Sequence, residues 1–382
     1  MSRDRVASAA GAAVFSCSLG IATVALPLLA LRSGYSPAEV GVLTAVSAIS
    51  QMATRLVLGA AMRLFGDWIL VAGAGAALAL SNGLVGFSAA VVPFVAAELL
   101  QGVARACFWT GSQTHVVRGA TRAIGALATI NLVSSLGLLG GPVLAGVLIE
   151  RSPRLAMLVG AGVAAAGVPF ALLLDRLPAF SPPADRSAGQ VWRRPGVDIG
   201  RWAGVSAGAW RGLLSSYVPV ALDLARQPAS TVGALVAVAN GASVVGSAVV
   251  GRLHGRWVRR AFVLGALASG VAVGLVALVA GVWWAAAALL AVSGLGAGVL
   301  QTVGPAIAAD SVHPEERGEA IASAGTWRAA ALFAAPMAVA AAVAVVPLSA
   351  AMAVAGVLIA GGAAVARRHR APAPALAHGD RP

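Results

Sequence analysis

The stretch LPAFSPPADRSAGQVWRRPGVDIGR, residues 177–201, is the longest loop between apolar runs in the chain. It is rich in proline and arginine, a composition that predicts a linker rather than a packed helix. It separates an N-terminal part, residues 1–176, from a C-terminal part, residues 202–370. The last segment, residues 371–382, has low complexity, and we expect it to be a disordered cytoplasmic tail.

Composition places the apolar parts of the chain in a lipid bilayer. Of the 382 residues, 59% are hydrophobic and 11% are charged, and the mean hydropathy is +0.87. A soluble protein of this length needs more polar surface to cover its core. Apolar runs of about 20 residues or more, the length that spans a bilayer, recur along the whole sequence. The sequence therefore predicts a multi-pass integral membrane protein.

The hydropathy pattern predicts an all-α fold with twelve transmembrane helices, six in each half of the chain. The first apolar run is too long for the core of a signal peptide, so we expect an uncleaved helix there. The predicted spans are residues 7–31, 38–60, 69–90, 93–114, 123–148, 155–174, 202–223, 230–250, 261–281, 285–308, 319–342 and 344–366.

The distribution of arginine predicts the orientation of these helices. The net charge is +13, all 27 basic residues are arginine, and the chain has no lysine. Nineteen arginines fall at the termini and in one set of loops, whereas the other set of loops holds only Arg32, Arg151, Arg154 and Arg226. By the positive-inside rule, both termini and the linker are cytoplasmic, and we expect the cytoplasmic (inner) cell membrane. The positive charge thus follows membrane topology and does not indicate a nucleic-acid partner.

The two halves share a weak internal repeat. A shift of 192 residues aligns VGVLTAVSAISQMATRLVLG (40–59) with VGALVAVANGASVVGSAVVG (232–251). A shift of 194 aligns GLLGGP (137–142) with ALFAAP (331–336). One offset that holds over several helix pairs predicts two similar six-helix bundles, the plan of many secondary transporters.

A charged loop follows the second predicted helix. It reads GAAMRLFGDW (59–68), and its glycines and charges are Gly59, Arg63, Gly66 and Asp67. The two opposite charges stand four residues apart. The corresponding loop of the C-terminal half, GRLHGRWVRR, keeps Gly251 and Arg256 but has no acid.

The fifth predicted helix carries small residues and a proline in GLLGGPVLAG (137–146). Gly137 and Gly141 lie one turn apart and present a face without side chains, so a neighbouring helix can approach closely. Pro142 removes a backbone donor and bends the helix, and Gly146 lies one further turn along. We expect the Gly141 face to pack between the two halves.

The fourth predicted helix contains ELLQGVARACFW (98–109). Spacings of three, four and four residues place its polar and aromatic side chains on one helical face, namely Glu98, Gln101, Arg105 and Trp109. Glu98 is the only acid deep within a predicted span.

Twelve helices in two halves, a cytoplasmic linker and these three segments resemble the major facilitator superfamily over essentially the whole chain. The resemblance implies that the loop after the second helix is a cytoplasmic latch between the halves, although Arg63 and Asp67 exchange the family's usual signs. The fifth helix resembles the pattern of drug/proton antiporters, with Ala145 in place of one glycine. The fourth helix resembles an exporter motif in which Glu98 replaces an arginine.

Four arginines lie within predicted spans: Arg55, Arg105, Arg211 and Arg328. Arg55 is near the cytoplasmic end of its helix, and we expect it to reach the interface. Each of the other three costs roughly 2.5–3.5 kcal/mol in the membrane, so each must face a wet cavity or a counter-charge. The resemblance places the central cavity among residues of several helices: Gln101, Trp109, Asn131, Trp210, Arg211, Asn240, Gln301, Trp327 and Arg328. The arginines among them either attract an anionic group or are structural, paired with Glu98 or with backbone carbonyls. A neutral or amphipathic drug-like substrate is the equal alternative to an anion.

These features predict a monomeric secondary transporter of a small organic compound, most simply proton-coupled efflux by antiport. The alternatives are proton-coupled uptake of a small organic anion, and a transporter-like membrane sensor or scaffold without flux. Glu98 and Arg105 are the candidates for proton coupling or static charge pairing. The sequence has no phosphate loop, nucleophile motif or metal-ligating cluster, so we expect no cofactor, no metal and no enzymatic activity.

Overall fold

The computed structural model describes residues 3–118, 123–177, 195–250, 256–310 and 317–368, and these residues form helices joined by short turns. The helices are α1 (Arg3–Arg32), α2 (Pro37–Leu64), α3 (Asp67–Phe87), α4 (Val91–Arg118), α5 (Ala123–Arg151), α6 (Pro153–Leu172), α7 (Pro195–Ser215), α8 (Tyr217–Leu224), α9 (Ala229–Val250), α10 (Arg256–Leu275), α11 (Trp283–Asp310), α12 (Arg317–Val343) and α13 (Leu348–Arg368).

The observed helices confirm the predicted all-α membrane fold. Within the described part of the chain, ten helices are long and apolar enough to cross a membrane. The remaining two predicted spans are α13 and the pair α7–α8. α7 begins at Pro195, inside the segment predicted as linker, and the rest of that linker and the tail at 371–382 lie outside the described residues.

The seventh predicted span is broken into α7 and α8 around Ser216. Pro219 has no N–H to donate to the carbonyl group of Ser215, and its ring crowds that carbonyl, so the helix ends there. The hydroxyl of Ser216 donates instead to the carbonyl oxygen of Gly212 at 2.7 Å. After the break the chain continues as the short helix α8, in which the residues from Tyr217 to Leu222 are buried.

Each half packs in the same pattern. In the N-terminal half α1 packs along α5 and α6, α3 along α4 and α6, and α2 along α4. In the C-terminal half α7 packs along α12 and α13, α10 along α11 and α13, and α9 along α11. These pairs correspond one to one when α7 and α8 are counted as one span, so the packing repeats as the weak sequence repeat does.

Among the described residues, two helix pairs make the most extensive contacts between the halves: α2 packs along α12, and α5 along α9. At the second contact the helices touch backbone to backbone. A Cβ added at Gly146 would lie 2.5 Å from the carbonyl oxygen of Ala229 and 2.9 Å from the Cα of Ser230. Gly233 of α9 packs in the same way on Pro142. Small residues therefore set the distance between the halves here.

Gly137 and Gly141 do not face the other half, so the expectation for Gly141 was wrong. Both pack on α1: a Cβ at Gly141 would meet the backbone of Cys17 and lie 2.8 Å from the Cα of Gly20. α5 turns about 100° per residue, so Gly141 and Gly146 lie on different faces of it. The glycine face thus joins two helices of one half, while Pro142 and Gly146 make the contact between the halves.

We call the side on which α1 begins and α6 ends the linker face, and the other side the opposite face. On the opposite face the halves are closed by polar contacts. Arg32 of α1 lies 3.8 Å from the carboxylate of Asp223, and it donates to the carbonyl oxygen of Ile149 at 3.2 Å. The backbone N–H of Ser230 donates to Glu150 at 3.3 Å. These contacts join α1, α5, α8 and α9.

A leucine at Gly146 should destabilise the protein, because its side chain would push α5 away from the backbone of α9. We expect the melting temperature in detergent to fall by about 3 °C or more, from an overpacking cost of roughly 1–3 kcal/mol. Gly140 of the same helix is the matched control, since a Cβ there meets no atom within 4 Å. Equal melting temperatures for Gly146→Leu and Gly140→Leu would contradict close packing of α5 on α9.

Candidate functional site

A cavity lies between the two halves, about midway along the helices. Its volume is about 340 Å³, including the part that opens to solvent. Five helices contribute to it, three from the N-terminal half (α1, α2, α4) and two from the C-terminal half (α7, α12). Its lining is Ala22, Thr23, Leu26, Thr44, Ser47, Glu98, Gln101, Arg105, Gly212, Ser215, Leu332 and Pro336.

Glu98 is the carboxylate of this lining, and its side chain is 2% exposed. The hydroxyl of Ser47, on α2, lies within hydrogen-bonding reach of it. That hydroxyl donates its own proton to the carbonyl oxygen of Thr44 at 3.0 Å. The lone pairs of the Ser47 oxygen are therefore free to accept a hydrogen bond from Glu98 when Glu98 is protonated.

Gln101 and Arg105 lie along α4 from Glu98 and bring unpaired donors to the cavity. A guanidinium N–H of Arg105 donates to the amide oxygen of Gln101, and Arg105 also interacts electrostatically with Glu98. The amide nitrogen of Gln101, a residue that is 1% exposed, has no partner among the described residues, and neither has Nε of Arg105. Both atoms are donors, so they can be satisfied by an acceptor that enters the cavity.

Arg211 belongs to a hydrogen-bonded chain that crosses from one half to the other. Its Nη1 donates to Oδ1 of Asn240 at 2.6 Å, and Nδ2 of Asn240 donates to the carbonyl oxygen of Leu138 at 3.2 Å. The chain connects α7 and α9 to α5. Each partner of Arg211 in it is neutral, so its charge is hydrogen-bonded but not compensated.

Arg328 is held in the same manner by neutral groups. Its Nη2 donates to Oε1 of Gln301 at 3.2 Å, and Nε2 of Gln301 donates to the hydroxyl of Ser243 at 3.2 Å. The Arg328 side chain is exposed and not packed in a core, although it lies eleven residues into α12, roughly 16 Å from the first residue of that helix.

The arginines form a continuous region of positive charge. Arg105 and Arg328 are close enough to Arg211 to repel it, and Arg55 is close enough to repel Arg328. Arg105 and Arg55 come from the N-terminal half, the other two from the C-terminal half. Among the described residues none of the four lies within ion-pair distance of a carboxylate, although Glu98 attracts Arg105 electrostatically from further away. We call these four residues the arginine series.

The tryptophans do not line the cavity, contrary to the sequence expectation. Trp210 is 1% exposed within the core of the C-terminal half, where its Nε1 donates to Ser293 of α11 at 3.2 Å. Trp109 packs edge-on against Phe108 in the core of the N-terminal half. Trp327 is 48% exposed, and the guanidinium of Arg201 lies 5.7 Å from its ring. Trp210 and Trp327 point about 100° away from Arg211 and Arg328 around their helices, because the residues of each pair are neighbours in sequence.

Asn131 also lies outside the enclosed cavity. It is exposed on α5, one turn before Ser135, whose hydroxyl donates to its carbonyl oxygen at 2.8 Å. Four further residues predicted for the cavity are also absent from its lining: Arg211, Asn240, Gln301 and Arg328. Asn240 is buried and joins Arg211 to α5, and Gln301 joins Arg328 to α9.

The loop predicted as a latch makes contacts within the N-terminal half. Gly66 is the N-cap of α3, and Asp67, which is 2% exposed, accepts from Nη1 of Arg118 at 3.0 Å. His115 Nδ1 lies 3.9 Å from the same carboxylate. Asp67 thus ties α3 to α4 rather than one half to the other. The remaining predicted members of this loop and of its counterpart, Gly59, the Arg63 side chain, Gly251 and the Arg256 side chain, lie outside the described residues.

Sequence reasoning missed the contribution of α2 to the site. Thr44 and Ser47 line the cavity, and Arg55 reaches α12 further along the same helix. These positions recur at spacings of three and eight residues, close to one and two helical turns, which is the signal of a polar helix face.

Comparison with solved structures finds the same fold in membrane transporters. A point mutant of the nucleoside transporter NupG superposes with a TM-score of 0.79 at 11% identity, over 95% of this chain and 97% of that chain. A POT family transporter in complex with a thioalcohol-conjugated peptide gives 0.77 at 11% identity, over 95% of each chain. A bacterial homolog of the human lysosomal transporter Spinster gives 0.68 at 13% identity, over 96% of this chain and 95% of that one.

No curated protein sequence matches the chain significantly. The sequence profile of the Major Facilitator Superfamily matches residues 8–222 and 202–381, which is nearly the whole length. Profile, repeated packing and central cavity agree. The chain belongs to the Major Facilitator Superfamily, and it is a multi-pass membrane transporter of small substrates and not an enzyme.

Proposed function

We propose that this protein is a proton-coupled secondary transporter of a small organic compound that carries an anionic group. The observation that carries the proposal is the arginine series: Arg105 lines a cavity that holds one carboxylate, and Arg211 of the C-terminal half lies close enough to Arg105 for the two charges to repel. The transported compound supplies the missing negative charge.

The energetics of the membrane support an anionic substrate. An arginine in the middle of a span costs roughly 2.5–3.5 kcal/mol, and hydrogen bonds from neutral amides leave its charge in place. Arg211 and Arg328 have Asn240 and Gln301 as partners, and the Gln101 amide nitrogen and Arg105 Nε have none among the described residues. An oxyanion between these groups would satisfy the free donors and reduce the repulsion between Arg105 and Arg211.

Glu98 is the group that we propose to carry the proton. Burial favours the neutral form of a carboxylic acid, and the Ser47 hydroxyl can accept a hydrogen bond from the neutral form or donate one to the charged form. Arg105 favours the charged form instead. The protonation of Glu98 therefore depends on how far Arg105 is engaged elsewhere.

This arrangement favours co-transport of proton and anion. An anion bound at Arg105 offsets part of the positive charge that stabilises ionised Glu98, and it adds negative charge near that carboxylate. Both effects strengthen proton binding at Glu98, and by linkage a proton on Glu98 strengthens anion binding to the same degree. Two ligands that promote each other's binding cross together, so the site favours symport, with uptake when the proton gradient points inward.

Proton-coupled efflux is the second candidate. The α5 segment that resembles export antiporters lies at the contact between the halves, where Pro142 and Gly146 touch α9. In that mechanism a neutral or cationic compound would compete with the proton for Glu98. The arginine distribution supports a cytoplasmic linker face, and the cavity, built from both halves of one chain, supports a monomer as the working unit.

Flux measurements in proteoliposomes with an imposed pH gradient separate these candidates, whichever way the protein inserts. A symported anion should accumulate on the alkaline side, whereas an antiported compound accumulates on the acidic side. The panel should contain organic anions, neutral compounds and organic cations, with protein-free liposomes as the control for passive distribution of weak acids. Absence of gradient-driven flux across the panel would overturn the transport proposal and favour a sensor.

Glu98→Gln removes the titratable proton and keeps the shape of the side chain. We expect this variant to exchange substrate across the membrane at a rate within about threefold of the wild type, but to lose accumulation driven by the pH gradient. Counterflow of labelled substrate measures exchange, and accumulation under the gradient measures coupling. Full accumulation by Glu98→Gln would exclude this residue as the proton carrier.

Arg211→Gln should weaken binding of the anion, because it removes one of the cations that meet in the centre of the protein. We expect the KM for anion exchange to rise by about tenfold or more, from the roughly 2–5 kcal/mol lost when one partner of a buried charge pair is removed. Arg154→Gln, at an exposed position near the start of α6 on the opposite face, is the matched charge control. If both variants keep the wild-type KM, Arg211 has a structural role only.

A further inference from the structure

Arg55 makes a contact that its position near the end of a span does not suggest. Instead of reaching the nearest membrane surface, its Nη1 lies 3.5 Å from the carbonyl oxygen of Gly325, across the boundary between the halves. Gly325 has no side chain, and an added Cβ would lie 3.3 Å from the same guanidinium nitrogen. The absence of a side chain on α12 thus leaves room for an arginine from α2.

Arg328 stands one turn further along α12. It is close enough to Arg55 for the two charges to repel, and Gln301 fixes its Nη2 at 3.2 Å. The nearest ion pair to this region, Arg201 with Asp198 on α7, has its guanidinium over Trp327. Among the described side chains neither Arg55 nor Arg328 has an acid within ion-pair distance. Two like charges from the two halves therefore approach each other without a counter-charge.

This pair lies outside the enclosed cavity, towards the linker face. Leu332, which lines the cavity, is one turn from Arg328 on the far side from the linker face. Ser47, which also lines it, is eight residues from Arg55, roughly 12 Å along α2. Arg55 and Arg328 are exposed, whereas Glu98 and Gln101 are buried. A solute passing between the cavity and the linker face would meet the pair on its way.

We propose that Arg55 and Arg328 form a second anion-binding site, between the halves and on the linker-face side of the cavity, which takes a carboxylate or a similar oxyanion. An oxyanion there accepts hydrogen bonds from both guanidinium groups and replaces their repulsion by two attractions. Bound between α2 and α12, it also draws the two halves together at this contact. The role of this site in transport rests on the proposed function, whereas its affinity for anions does not.

The test measures the local charge without measuring transport. Thr326 is exposed and lies between Gly325 and Trp327, so Thr326→Cys places a thiol beside the site. The background carries Cys17→Ala and Cys107→Ala, which remove the two native thiols. Two methanethiosulfonate reagents of similar size then modify the thiol, one with a sulfonate and one with a trimethylammonium group. The ratio of their rates reports the electrostatic potential at the thiol.

The rate of each reagent with the protein is divided by its rate with a free thiol, and the ratio is the sulfonate value over the trimethylammonium value. We expect this ratio to exceed one, and Arg55→Gln and Arg328→Gln each to lower it by about fivefold or more. Arg55→Lys, which keeps the charge, should retain the ratio, and so should Arg154→Gln on the opposite face. Inorganic sulfate at constant ionic strength should lower the ratio in the parent protein, because the bound dianion offsets the two positive charges, but not in the Arg55→Gln variant.

An unchanged ratio in either glutamine variant, or a ratio that sulfate does not change in the parent protein, overturns the second site. Circular dichroism and the melting temperature check that each variant is folded. Because labelling needs no flux, a negative flux panel together with the expected labelling would reject the proposed transport function while leaving the anion site standing.

Discussion

The presence of positive charge inside a membrane protein is the constraint on which the rest of this structure depends. An arginine within a span is tolerated only where water, a hydrogen-bonding partner or a counter-charge reaches it. Here the partners of Arg211 and Arg328 are the amides Asn240 and Gln301, which hold the side chains in place without neutralising them. The charge is thus kept available, because the single carboxylate of the cavity lining, Glu98, is not enough to balance it.

The contacts between the halves are of a kind that lets the halves move against each other, and the arginines move with them. Where α5 meets α9, glycine lets the backbones touch, so no side chain of Gly146 or Gly233 interlocks the two helices. On the opposite face, Arg32 with Asp223 and Ser230 with Glu150 close the protein with a few polar contacts near the surface. Such contacts are weak individually, so the closed state can be left at modest cost. A transporter needs this combination because it alternates between conformations. Each conformation must be populated, and none may be so stable that the protein does not leave it.

Hydropathy alone was sufficient for the fold, because lipid leaves few alternatives to apolar helices of membrane-spanning length. Each predicted span corresponds to observed helix, and the main departure, the break at Ser216, follows from the missing N–H of Pro219.

The direction in which side chains point was harder to predict. Trp210 and Arg211 are neighbours in sequence, yet one is buried in the core and the other reaches the charged centre. Gly141 and Gly146 share one small-residue motif, yet only Gly146 touches the other half. Hydropathy is nearly uniform around such helices, so it does not show which face meets which neighbour. Contacts such as Ser47 with Glu98 and Arg55 with Gly325 join residues far apart in sequence, and no spacing rule within one helix reports them.

The central claim is that an anion held by the arginines increases the proton occupancy of Glu98. The most direct measurement is the number of protons taken up when a transported anion binds to the purified protein. Calorimetry in buffers of different ionisation enthalpy gives this number without any flux. Near neutral pH we expect net proton uptake on anion binding to the wild type, and none in Glu98→Gln. Binding with no proton uptake by the wild type, or with proton release, would contradict coupling between the anion and Glu98.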